Sequence, residues 1–259
     1  MKRLQALLLS LPLCFLVYGQ KVDTVIIDGS KINTKVLIPG MHRWLVYFRN
    51  GKDSSRKTYA LWSREIAHTR FRGKDAITVT QEWEDNDSVL HKTYSVNDEK
   101  TFSPLYQESW WRGRGTTVTD FIEKKVSVNG AVLNDSDTSS RTKRILLAFN
   151  QALNQFVLNW HLDLEVFPLL PFKENRAFVI NFYDPALPFN PSKETYTVIG
   201  SDKLKGYDNS EINCWLLYNS PDPGRKETFW ISKKTGEVLK LEQEFGGRYR
   251  YKIKLGFSK

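Results

Sequence analysis

The stretch "RWLVYF", residues 43–48, limits the fold more than any other part of this chain. Successive side chains of an extended segment point to opposite faces. Leu45 and Tyr47 then face one way, and Trp44, Val46 and Phe48 the other. "INCWLLY" repeats the pattern, with Ile212, Cys214 and Leu216 opposed to Trp215 and Leu217. A meander with one wet face does not place large apolar groups on both sides. Part of the sheet therefore needs two covers, and the layer must bend around something. A helix, the sheet's own far half, a partner protein or an apolar ligand would each serve. In "QESWWRGRG" the same rule sends Trp110 and Trp111 to opposite faces, one into the core and the other to a rim near Arg112 or Arg114.

Most of the chain alternates with period two and is rich in β-branched and aromatic residues, as in "TYALWSREIAH", "AITVTQEW" and "VLHKTYSV". Asn129-Gly130 is a favoured pair for a two-residue hairpin turn, and predicts Val128 opposite Ala131 and Val126 opposite Leu133. "EDNDS", Glu84 to Ser88, reads as another hairpin turn; it lacks the glycine and distal glutamate of a calcium loop. Near the C-terminus, a three-residue loop from Phe245 to Gly247 sets Glu244 against Arg248, Glu242 against Arg250 and Leu241 against Tyr251. Opposite charges and apolar pairs each favour that register by roughly 0.2–1 kcal/mol. A two-residue loop at Gly246-Gly247 would instead put Leu241 opposite Lys252.

One segment breaks the β pattern. From Ser139 to about Trp160, Ile145, Phe149, Ala152, Phe156 and Trp160 recur at helical spacing behind a serine and aspartate cluster suited to an N-cap. Its outer face carries Asn150, Gln151, Asn154, Gln155 and Asn159, either a solvated face or the wall of a polar cavity. "VFPLLPF", with Pro168 and Pro171, reads as an irregular connector. There is no repeat and no long linker. The expected fold is mainly β: a curved antiparallel sheet or half-open barrel packed around one principal α-helix at about residues 139–160, in a single domain from 20 to 259.

"MKRLQALLLSLPLCFLVYG" has a positive start, an apolar run and small residues before a cut. Residues 1–19 thus read as a signal peptide, and the mature chain as periplasmic or secreted with no transmembrane span. The net charge of +9 falls to +7 without Lys2 and Arg3. Cys14 leaves with the signal. Cys214 is then a lone thiol, read as a small buried hydrophobe.

Chemistry-bearing motifs are scarce. His42, His68, His91 and His161 show no metal-ligand spacing, and no phosphate loop, dinucleotide fingerprint or nucleophile elbow occurs. No cofactor and no catalytic residue is implied. Trp44, Trp62, Trp110, Trp111, Arg112 and Trp215 are the candidate ligand-binding residues. On the C-terminal strands Lys240, Lys252 and Lys254 cluster away from Glu242 and Glu244, and are candidates for contact with an anionic surface such as lipid headgroups. Nucleic acid is not a partner expected of an exported protein.

"TFWISKKTGEVLKLEQEF", residues 228–245, resembles the C-terminal signature of exported bacterial DUF3108-like proteins of unknown function, of Bacteroidetes type; "CWLLY" and "PLLPF" are similar too. The resemblance is best over residues 160–257. It implies a mostly antiparallel β fold, with a half-barrel like the lipoprotein carriers as one form, and brings no catalytic residues. The leading functional expectation is a non-enzymatic envelope protein that binds an amphiphile or a partner protein in an apolar concave face. The alternatives are a structural or interaction module with a self-filled core, and a hydrolase with an unrecognised carboxylate site.

Overall fold

A computed structural model describes residues 22–256, apart from 87, 186, 207 and 208. The signal-peptide reading lies outside those residues. The first half of the chain forms β1 (Asp23–Ile26), β2 (Gly40–Asn50), β3 (Lys57–Phe71), β4 (Lys74–Asp85), β5 (Ser88–Asp98), β6 (Pro104–Trp111), β7 (Gly115–Asp120), β8 (Lys125–Val128) and β9 (Ala131–Val132). Helix α1 (Ser140–Leu153), β10 (Leu158–Asn159) and a four-residue helix α2 (Asp163–Val166) follow. The second half forms β11 (Arg176–Tyr183), β12 (Ser192–Lys205), β13 (Glu211–Asp222), β14 (Arg225–Ser232), β15 (Val238–Phe245) and β16 (Arg248–Leu255).

All the strands belong to one sheet. Two antiparallel meanders, β2 to β9 and β11 to β16, join where β16 pairs with β2. Short β1 and β10 both run parallel to β11, along its outer edge. The sheet is open, with β1 and β9 at its ends. It is also strongly curved. Trp44, Val46, Ile66 and Ile77 from one meander share a core with Phe178, Tyr196, Leu217 and Phe229 from the other. Helix α1 packs over the gap between the sheet's ends. Ile145 and Phe149 meet Val126 of β8 and Tyr183 of β11.

Both-face patterning is confirmed. Trp44, Val46 and Phe48 face inward, while Tyr47 stacks on Tyr251 on the outer face. Trp215 and Leu217 face the core; Cys214 belongs to an outer cluster with Trp230 and Leu239. Val128 pairs with Ala131, and Asp85 with Ser88, as the turn signals predict.

Two expectations need correction. The helix stops at Leu153, where Asn154 caps it, rather than near Trp160. Phe156 and Trp160 keep the helical spacing but belong to the segment that turns into the core, and the pull of burial outweighs the propensity for another turn. The amides Asn150, Asn154 and Gln155 are solvated; Asn159 alone of that group is fully buried.

The C-terminal hairpin has the two-residue loop. Phe245 pairs with Arg248 and Leu241 with Lys252. Gly246 (φ 57°) and Gly247 (φ 77°) both adopt the left-handed conformation that a tight type I′ turn requires. Since side chains alternate, this one-residue difference from the expected register exchanges the faces of β16. Lys252 and Lys254 therefore point inward, and Tyr251 outward. Burial of cations against partners from elsewhere in the chain decided the register, and pairwise strand counting did not include those partners.

Candidate functional site

Residues 156–172 fill the concave face. The stretch "LNWHLDLEV", 158–166, alternates apolar and polar side chains although only its first two residues form a strand. Leu158, Leu162, Leu164 and Val166 enter the core, and Trp160 packs at its edge against Phe182. Phe167 follows into a ring cluster with Tyr196 and Phe229, and Pro168 ends the turn within a 3-10 segment, Phe167–Leu169.

The polar members of the stretch fasten it to the sheet in sequence. Asn159 Nδ2 donates to the side-chain oxygen Oε1 of Gln107 on β6. The His161 carbonyl accepts from Gln81 Nε2 at 3.2 Å, and its ring lies against Trp83 and His91. Asp163 receives Lys252 Nζ at 2.6 Å and Arg64 at 3.3 Å. Glu165 receives Arg64 Nη1 at 2.5 Å. Beyond the segment's end, Lys254 pairs with Glu237.

These charges are buried: Arg64 and Glu165 are 1 % exposed, and Lys252 and Lys254 3 % and 5 %. Taking single ions out of water is costly, so each needs a partner. Burial drives the Lys252 ammonium down to about 8, with Arg250 and Arg64 lowering it further and Asp163 opposing. Burial raises the Asp163 carboxyl, but Lys252 and Arg64 outweigh it and the group ends below its ordinary value. Burial, opposed by Arg64, leaves Glu165 raised. Glu227, also raised by burial, accepts from the Tyr196 hydroxyl at 2.7 Å.

An aromatic wall stands beside this network. Trp62 stacks on Trp83 at 3.9 Å, Trp83 meets Trp111 edge-on at 5.5 Å, and Trp111 stacks on His91 at 3.9 Å. The Lys252 ammonium lies 4.7 Å from the Trp62 ring, and Lys254 5.4 Å from Trp44. Burial, helped by the neighbouring His161, lowers the His91 imidazole to about 4. Burial also lowers His161, but Asp184 at 3.1 Å outweighs it and His161 ends raised.

The six candidate ligand-binding residues do not form one site. Trp44, Trp62 and Trp111 line the interior. Trp110, one position away, faces outward and is half-buried. Arg112 is exposed and donates to Ser88 at 2.5 Å. It is Arg114 that lies over Trp111, at 5.6 Å. Trp215 sits in the other meander, parallel to Phe172 at 6.2 Å with Lys233 3.7 Å from its ring centre. Of the three lysines, only Lys240 remains outside, paired with Glu242 at 2.6 Å and lying 4.2 Å from Trp230. Lys252 and Lys254 are too deeply buried to touch an external surface. Arg64, Asp163 and Glu165, which hold the interior together, were missed in the sequence; the alternation in "LNWHLDLEV" was the available signal.

Glu165 and Glu237 line a recess of about 20 Å³, room for one water. Among the described residues no cluster of His, Cys, Asp and Glu is arranged to hold a metal ion, and no helix is long and apolar enough to cross a membrane. A larger groove of about 800 Å³ lies outside, open to solvent, with mixed charges that include the His68–Glu99 pair at 3.0 Å.

Among solved structures, the chain is loosely similar to a protein from Brucella abortus described as a beta-barrel-like protein of domain of unknown function DUF1849. Identity is 9 %, 84 % of this chain and 97 % of that one are covered, and the TM-score is 0.36. No curated protein matches. The model of the family DUF3108, described as a protein of unknown function, matches residues 44–254, which extends the resemblance well into the first meander. The chain therefore belongs to the DUF3108 family.

Proposed function

We propose that this is a non-enzymatic, exported β scaffold that fills its own interior and acts through its outer surface, as an interaction module of the cell envelope. The observation that carries this reading is the occupation of the concave face by residues 156–172, fastened by buried ion pairs and leaving a recess for one water. An amphiphile carrier would need a groove there to bury an acyl chain. Export rests on residues 1–19 of the sequence.

Native mass spectrometry of protein purified from its own host, before and after extraction with organic solvent, tests the proposal. The expected result is the same apoprotein mass in both. A hydrophobic adduct lost on extraction would establish a carrier instead.

A further inference from the structure

The interior cover explains only one of the two apolar faces. On the outer face, β16, β2 and β3 set Tyr251, Tyr47 and Tyr59 side by side in register. The next outward row is Ile253, Leu45 and Leu61. Tyr59 is 49 % exposed, and Met41 and Leu255 at the lower margin are exposed to a similar degree, whereas Tyr47 and Tyr251 are each only 7 % exposed, beneath Arg56 and Arg49. Arginine side chains cover Tyr47 and Tyr251, while Ile253, Leu45 and Leu61 are partly exposed. A contiguous apolar patch of this kind on an outer sheet face marks an interaction site.

Arginines frame it. Arg49 lies 5.4 Å over Tyr251, and Arg56 4.9 Å over Tyr47. Arg43 stands between Leu255 and Ser63 in the row below. Among the described residues none of these three forms an ion pair, and Arg49 donates to the Lys52 backbone carbonyl at 2.8 Å. The carboxylates stand at the margins: Glu242 is held by Lys240, Glu84 lies beside Leu61, and Glu65 beside Met41. A second copy docked face to face would bring these arginines together, so charge disfavours it. An anionic surface suits them. Tyrosine and arginine are both adapted to the boundary between headgroups and acyl chains, where a ring or stem is buried and the polar end stays wet. A convex face also meets a deformable surface more readily than a rigid one.

We infer that the outer face of β16, β2 and β3 docks onto an anionic phospholipid surface, with Tyr59 and the aliphatic row against the headgroup layer and Arg43, Arg49 and Arg56, two of them lying over Tyr251 and Tyr47, on its phosphates. The inference rests on the reading that the protein acts through its exterior, and names the partner. Vesicle co-sedimentation of the mature chain tests it, separately from the adduct measurement above. The protein pellets with vesicles of mixed phosphatidylglycerol and phosphatidylcholine and stays in solution with phosphatidylcholine alone. The double variant Arg43→Gln/Arg56→Gln binds about 30-fold more weakly. A control removing two exposed cations from helix α1, Arg141→Gln/Lys143→Gln, binds as the parent does. No pelleting with anionic vesicles, equal pelleting with neutral ones, or equal loss in the control would overturn the inference.

Discussion

Arg64 on β3 and Glu165 on the interior segment meet at 2.5 Å, with both side chains only 1 % exposed. Arg64 also reaches Asp163, so one guanidinium ties two positions of the segment to the sheet. Removing one partner from such a pair leaves a buried charge unmatched. Arg64→Met should destabilise the protein by about 3–5 kcal/mol in urea unfolding. Arg64→Met/Glu165→Leu should lose less than that single variant, because Asp163 retains Lys252. Equal or additive losses would mean that the stranded Glu165 carboxylate is not the source of the single variant's cost.

The tight turn between β15 and β16 makes a second prediction. Gly246 and Gly247 hold positive φ, and no atom stands near where a Cβ would lie. Only backbone strain opposes a side chain. Gly247→Val should cost about 1–2 kcal/mol, whereas Gly246→Asn, which tolerates that conformation, should be neutral or stabilising by a few tenths to about 1 kcal/mol. Thermal unfolding of the two variants checks the contrast.

His91 predicts an acid-side loss of stability. Its folded value of about 4 lies below the ordinary 6.5, so the unfolded chain binds the extra proton between those values. Stability from this group is complete above pH 6.5 and is lost as pH falls toward 4, with a slope approaching about 1.4 kcal/mol per unit. His161 has the opposite sign. Its folded value is raised, so its contribution is complete below 6.5 and is lost as pH rises through the folded value. Urea unfolding between pH 4 and 8 should show the acid-side slope shrink in His91→Gln, while His161→Gln loses stability chiefly on the acid side of its own titration.

Cys214 should be inert. It is fully buried in the outer cluster with Trp230 and Leu239, and burial, followed by the charge of Asp202, pushes its thiol up to about 11. Thiolate is the reactive form. Iodoacetamide at pH 8 should label the mature chain, which lacks Cys14, only in denaturant, as read by intact mass. Rapid labelling of folded protein would contradict this burial.

Much of the architecture was legible because it follows from alternation and turn chemistry. Trp44 and Tyr47 announced a layer covered twice, and Asn129-Gly130 fixed its hairpin. The interior was harder to read, since its logic is not local. Arg250, Lys252 and Lys254 alternate along β16 as a wet face would, and cations normally are wet. Their neutralising carboxylates come from other elements: Asp163 lies far upstream, and Glu237 stands before β15. In the same way "LNWHLDLEV" carries strand periodicity without a strand partner along most of its length, so pattern alone could not say that it lay inside the sheet.

Joining the last strand to the second has a consequence for biogenesis. Until residues 248–255 are in place, β2 and β15 both present bare backbone edges, and neither meander has its central neighbour. Assembly of the whole sheet must wait for residues 248–255, a long-range closure that makes folding slow and loss of that strand unusually damaging. A chain clipped after Gly247 would remain a pair of sticky half-sheets.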